Sequence, residues 1–575
     1  MDKINKRQNA ARGLIPADLV LKNGIVLDVF THEMIPADVA VVGGVIVGVG
    51  KYSGVEEIDC TGKIISPGFI DAHLHIESTM VSPLELAKIV VLKGTTTMIT
   101  DPHELVNVKG SKGLDYLLEA ANNTPVNIFT MLPSAVPATP FDTNGAGEFL
   151  ARDMLPYVDH PRVLGLGEAM SFLDVMYPKP EMTEKLRLFS GRVKDGHAPG
   201  LRGKEIQSYK LAGIANDHEC STFKEAFDKM RAGFDILIRE GSAARNLEAI
   251  LSGMLEKHLP FERCAFCTDD KHLEDIVTEG HIDHCVRKAI ALGVPPIYAY
   301  KMATYYPSKM YGLRKSGAVA AGYKADLLII DDLEKVSIRE VIKGGKRVDQ
   351  EYLESFRECM PAPEMLHTVV FHSVKEEDLA LRVKETNHVI GLLKDQIVTE
   401  HLCESLPQQD GLFIPDEVYS KLCVVERHGR NGNLAVAAIK GFGIRNGAIA
   451  TSVSHDSHNI IAVGDNDRDL VCAINSIKEM QGGYVLASQG RVLDALPLRI
   501  GGLISMEKGS YVRKKTAQML KEARTLGIPE GVDPFITLSF MALPVIPHLR
   551  LLDTGLFDVD CYQLLDKCTE KKIDE

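Results

Sequence analysis

At 575 residues the chain is longer than one hydrophobic core normally supports, so several domains are expected. Its 45% apolar and 25% charged residues match an ordinary globular protein, and no apolar run is long enough to cross a bilayer as a helix. The net charge of −13 argues against a nucleic-acid partner, which would require a basic face, and favours a small neutral substrate. The opening "MDKINKRQNAARG" is polar with no apolar stretch behind it, so no secretory signal is read and the cytoplasm is the expected location. Eleven cysteines scattered through such a chain are expected as free thiols.

Residues 18–66 alternate short β-type runs ("DLVLKNGIVLDV", "ADVAVVGGVIVGVG", "KIIS") with Asn-Gly and Gly-Gly pairs that favour tight hairpins. The same texture returns at 317–348, so residues 1–67 and 313–350 are read as one small composite β-domain interrupted by a long insertion. That insertion, 68–312, offers eight strand candidates: 68–75, 96–103, 127–133, 163–168, 191–197, 213–219, 234–240 and 264–270. Helical stretches such as "STFKEAFDKMRAG", apolar at three- and four-residue spacing, fall between them. Alternating strands and helices over about 250 residues give an α/β fold, a (β/α)8 TIM-type barrel. "CAFC" (264–267) has chelating spacing, but positions three apart on a strand face opposite sides, so buried thiols are expected. Two prolines near 359–366 mark 351–366 as a linker, and 367–575 mixes strands and helices as a C-terminal α+β domain ending in a polar tail.

Barrel enzymes work at the C-terminal ends of their strands, where several strands aim at one point. The first candidate ends in "DAHLH", whose His73 and His75 share one side of a strand and could grip one ion; alone, the pair could equally be two half-exposed histidines. The other ends decide the matter. The fourth carries Glu168, the fifth His197, the sixth His218 and the eighth Asp269, all nitrogen or oxygen donors. Six ligands exceed the three or so of a single catalytic ion, so two divalent ions are expected, with the Glu168 carboxylate bridging them.

"PGFIDAHLHIESTM", "TTMITDPHE", "VLGLGEAM", "DGHAPG", "NDHE" and "CTDD" together resemble the amidohydrolase superfamily, and specifically its bacterial-type adenine deaminases. The resemblance extends to "HDSHNIIAVG" in the third domain. It implies hydrolysis of adenine to hypoxanthine and ammonia in purine salvage or catabolism, with two divalent ions: manganese first, iron second, zinc less expected. Homo-oligomers are the implied assembly. A metal-activated hydroxide would attack C6 while Asp269 carries a proton from water to the ring nitrogen or departing amine.

Other residues leave alternatives open. Glu77, His103 and Glu104 either orient substrate or hold the ligands' tautomers. Asp270 is expected to face away from Asp269, and His272, His281 and His284 are read as a solvated helix face. His455 and His458 in "HDSHN" either cover the barrel's open rim or belong to a polar turn satisfying its own backbone. Two rival functions remain: a cyclic amide hydrolase of the dihydropyrimidinase or dihydroorotase type, and a non-catalytic scaffold. A glutamate where a bridging lysine would stand speaks against the first, and the full ligand set against the second.

Overall fold

The computed structural model describes residues 3–242, 244–393, 398–530 and 532–565; the polar tail at 566–575 lies outside the described residues. In the small β-domain, Ala17–Leu27, Met34–Val42, Val45–Gly50, Gly54–Asp59 and Ile64–Pro67 share one sheet with Leu327–Ile330, Ile338–Lys343 and Lys346–Arg347. The seam is the antiparallel pairing of Ile64–Pro67 with Leu327–Ile330, from which the chain enters the barrel.

The two glycine signals behave differently. Gly43 and Gly44, at φ 55° and 73°, form the tight turn between Met34–Val42 and Val45–Gly50. Asn23-Gly24 is no hairpin: it is a bulge inside Ala17–Leu27, where the register against Met34–Val42 shifts. Asp38 accepts the Asn23 N–H at 2.8 Å, and a Cβ at Gly24 would stand 2.5 Å from Ile65 Cδ1, so packing holds the pair in mid-strand.

The barrel strands are Phe69–Leu74 (β1), Thr95–Thr100 (β2), Asn127–Leu132 (β3), Val163–Leu166 (β4), Val193–Lys194 (β5), Asn216–Asp217 (β6), Asp235–Arg239 (β7) and Cys264–Cys267 (β8). Parallel pairing runs from β1 to β5 and from β6 to β8. A few backbone hydrogen bonds close the two gaps, one at the first and two, His75 N–H to the Asp269 carbonyl at 3.3 Å among them, at the second. Ala215 N–H donates to the Lys194 carbonyl at 2.8 Å, and Asp269 N–H to the His73 carbonyl at 3.0 Å. Ile70, Ala72, Ile99, Met131, Leu237, Ala265 and Cys267 fill the interior, so the floor is a packed apolar plug and only the rim is open to polar chemistry. Cys267 lies in that plug while Cys264 faces the outer core with its sulfur near Met254, which separates the two thiols by a sheet.

The C-terminal part is built on an eight-stranded sheet running from Thr399–Glu404 at one edge to Arg491–Pro497 at the other. Helix Asp467–Met480 covers one face, burying Leu470, Ala473, Ile474 and Ile477 at i, i+3, i+4 and i+7. Its start is capped by Asn466, which accepts the Asp469 N–H at 2.9 Å. The other face contributes Leu422, Val424, Ile449 and Ile461 to the same apolar core as the barrel's outer helices. Sheet and barrel therefore pack as one body, and loops of the sheet can reach the rim.

Candidate metal centre and active site

Against β2, Asp71 pairs with Met98 but Leu74 with Thr100, so β1 carries one extra residue just before its end. Ile70 and Ala72 point into the plug below this irregularity; beyond it Leu74 turns outward, and His73 and His75 converge at the mouth with ring centroids 4.9 Å apart. Asp71 fixes the bend by accepting the Thr268 N–H at 3.1 Å, tying β1 to the end of β8. Asp101, after β2, orients two further residues. Its carbonyl accepts His75 Nδ1–H at 2.9 Å, turning Nε2 inward, and its carboxylate accepts the Glu168 N–H at 2.9 Å. That approach requires Gly167, where a Cβ would stand 2.1 Å from Asp101 Oδ2.

Glu168 lies between two sets of imidazoles. Its Oε1 is 3.3 Å from His75 Nε2 and 3.8 Å from His73 Nε2; its Oε2 is 2.7 Å from His197 Nδ1 and 3.3 Å from His218 Nε2. Asp269 Oδ1 closes the first set, 3.4 Å from His73 and 3.2 Å from His75. All six residues predicted from the strand ends are thus brought together.

Burial pushes the Glu168 carboxyl up, but hydrogen bonding with His197 and His218 outweighs it and holds the group well below the usual carboxylate range. Asp269 is likewise opposed by burial and held low by the Arg239 guanidinium, with help from His73 and His75. Two buried anions therefore sit among four imidazoles. Among the described residues, both ring nitrogens of His73 and the Nδ1 atoms of His103 and His218 are buried without a hydrogen-bond partner. Orphaned imidazole nitrogens beside ionised carboxylates are donors suited to divalent cations, and the triads His73–His75–Asp269 and His73–Glu168–His218 each hold their donor atoms within 4.8 Å of one another.

The centre opens into a cleft between the barrel rim and the C-terminal part. His103 belongs to its wall, Nδ1 3.4 Å from Glu168 and Nε2 3.6 Å from Asp456. Glu104 lines it too, 3.1 Å from His455 Nδ1 and 3.8 Å from His458 Nε2. Glu77 does not line it. It packs beneath, accepting the Leu105 N–H at 3.3 Å, and burial with the Glu104 charge nearby pushes its carboxyl up to about 7.

One open alternative is decided and two expectations are corrected. The loop 455–459 is not a remote polar turn: His455 and Asp456 face the centre, and His455 stacks on Phe540 with centroids 4.7 Å apart. His458 lies behind them, fully buried, its Nδ1 accepting the Ser454 N–H at 3.2 Å. Asp270 does not face away. β8 has ended at Cys267 and Asp269 takes φ 54°, which breaks strand alternation, so both aspartates line the cleft and Asp270 accepts a hydrogen bond from Ser78. His281 is no solvated residue; it is fully buried, 2.8 Å from Thr95 Oγ1 and 3.1 Å from Asp71, whereas His272 and His284 are half-buried.

Sequence reasoning missed Arg239, Glu219 and the apolar wall. Arg239 ends β7, the one later strand whose rim residue went unread; it pairs with Glu219 and with Asp269 at 2.7 Å. Glu219 directly follows His218, so the rim rule applied one residue further would have found it. Phe540, Leu543 and Ile546 come from the C-terminal part, and no local pattern announces them.

A barrel whose rim gathers imidazoles around one carboxylate defines the class of metal-dependent barrel hydrolases. The amidohydrolase family model matches residues 64–237 and 234–348, and that of the adenine deaminase C-terminal domain matches 396–563. The adenine deaminase of Desulfitobacterium hafniense is 48% identical over 97% of this chain and 98% of its own. That of Clostridium acetobutylicum is 41% identical over 98% of this chain and 100% of its own, and that of Halalkalibacterium halodurans 42% identical over 98% of both. The chain belongs to the amidohydrolase family and, within it, to the adenine deaminases.

Proposed function

We propose that this chain hydrolyses adenine to hypoxanthine and ammonia at a centre for two divalent cations. One observation carries the proposal: a single carboxylate, Glu168, turns one oxygen to His73 and His75 and the other to His197 and His218. Two cations held by these imidazole sets would need an anion between them, and Glu168, where a lysine is absent, would be the residue to supply it. Asp269 completes the first position. When bound, such cations lower the pKa of water from 15.7 to about 7 and so supply a nucleophile at neutral pH.

The chain's own groups do the rest. Arg239 keeps Asp269 ionised, the state that accepts a proton, and ties up Oδ2. Proton carriage to the purine ring nitrogen or the departing amine is assigned to the Asp269 carboxylate, beside His73 and His75. His455 and Asp456, reaching in from the C-terminal sheet, cover the rim together with Phe540, which excludes water and offers a flat apolar surface to a planar base. His103 and Glu104 hold that cover in place through Asp456, His455 and His458. The resemblance to adenine deaminases, rather than the donor set, puts manganese(II) first, then iron(II), ahead of zinc. Cytoplasmic purine salvage is the proposed setting.

Ammonia release from adenine, adenosine, cytosine and guanine by manganese-loaded protein, with ring opening of hydantoin in parallel, tests the proposal. Adenine alone should release ammonia. Hydantoin opening without ammonia from adenine would assign the site to a cyclic amide hydrolase.

A further inference from the structure

Outside the barrel and its cleft, strands Asn387–Leu392 and Thr399–Glu404 pair antiparallel at the edge of the C-terminal sheet. Side chains alternate faces along a strand. Val389 and Leu402, a cross-strand pair, turn into an apolar cluster with Phe413 and Ala438, so His388, His401 and Cys403 share the opposite face. Cys403 stands directly across from His388, and His401 is two residues along the same strand. Their donor atoms converge: His388 Nδ1 is 2.8 Å from His401 Nε2 and 3.7 Å from Cys403 Sγ. The other nitrogen of His401, Nδ1, is 3.5 Å from the buried carboxylate of Asp558, on strand Gly555–Asp558.

We propose that His388 Nδ1, His401 Nε2 and Cys403 Sγ bind a zinc ion at a site separate from the barrel centre. Tetrahedral zinc with bonds of about 2.0 Å to nitrogen and 2.3 Å to sulfur sets ligand separations of about 3.3 Å between nitrogens and about 3.5 Å from nitrogen to sulfur. The nitrogen pair must open by about half an ångström, within the reach of side-chain rotation, and the sulfur already stands near the required distance from His388 Nδ1. Asp558 stands where a carboxylate orients a ligating imidazole, on the Nδ1 side of His401, while Nε2 faces the proposed metal position. Binding displaces the thiol proton of Cys403 to solvent and leaves the fourth position to water, because Cys403 is exposed. The cation would then join the edge hairpin to the strands Leu549–Leu552 and Gly555–Asp558. Arg550 of the first of these donates to the Phe540 carbonyl at 3.0 Å, beside the apolar wall of the cleft.

Cobalt(II) as a zinc substitute tests the proposal, because the barrel centre offers only nitrogen and oxygen donors while this site adds a thiolate. Reduced full-length protein titrated with cobalt should develop a near-ultraviolet sulfur-to-cobalt charge-transfer band that zinc abolishes. The band should be absent from Cys403→Ser, a near-isosteric change at an exposed position, and weakened in His388→Asn. Total zinc bound should fall by one ion per chain in Cys403→Ser. No band in the parent at saturating cobalt, or a band of equal strength in Cys403→Ser, would overturn the proposal.

Discussion

His73–His75 and His455–His458 are two imidazole pairs that meet at one cleft by different routes. The first pair is aimed by its own strand: alternation puts both rings on one side, and a bulge turns that side to the barrel mouth. The second is carried in by the fold, from a sheet more than three hundred residues away in sequence, and only one of its members reaches the cleft. Local periodicity therefore reveals donors on the scaffold, while groups that cover the scaffold become visible only when domains pack.

That contrast has consequences for substitutions. Glu168→Ala should be the most damaging, because it removes the anion shared by both imidazole sets. Bound metal should drop at both positions and adenine turnover by about 10⁴-fold or more, since hydroxide at neutral pH is then no longer supplied. Metal analysis alongside ammonia release checks both effects. Asp269→Asn keeps a ligand oxygen but cannot carry a proton, so turnover should fall by about 10²- to 10⁴-fold with metal retained. Near-normal turnover would remove Asp269 from the proton path.

The second pair should divide. His455→Ala, at the cleft and against Phe540, should lower turnover at least tenfold, about 1.4 kcal/mol of transition-state stabilisation, with metal content unchanged. His458→Ala should act less on turnover and more on stability, because His458 is packed behind the loop it supports. Equal effects of the two on kcat would mean that the loop acts as a unit. The smallest effect on chemistry belongs to His281→Ala. It deletes a buried partner of Asp71 and Thr95, so denaturant unfolding should show a loss of about 1–3 kcal/mol while kcat per folded molecule stays level.

How far the sequence could be read follows the same division. Eight strand candidates were legible from short runs between helical stretches, and the rim rule turned the ends of five of them into His73, His75, Glu168, His197, His218 and Asp269. The rule failed where backbone geometry departed from a plain strand: Asp269 at positive φ brings Asp270 into the cleft, and the bulge at Asn23-Gly24 looks like a turn in one dimension. His281 was misread because its partners, Asp71 and Thr95, lie on strands about two hundred residues away. Phe540, Leu543 and Ile546 sit in an ordinary apolar segment whose place against the cleft depends wholly on how the C-terminal sheet packs.

The most direct measurement is a manganese titration of metal-depleted Cys403→Ser protein, in which the edge hairpin no longer offers a thiolate, following bound metal and ammonia released from adenine together. Activity should be absent at the start and should reach its plateau at two ions per chain. Full activity without metal, or a plateau at a single ion, would contradict a centre in which Glu168 joins two cations.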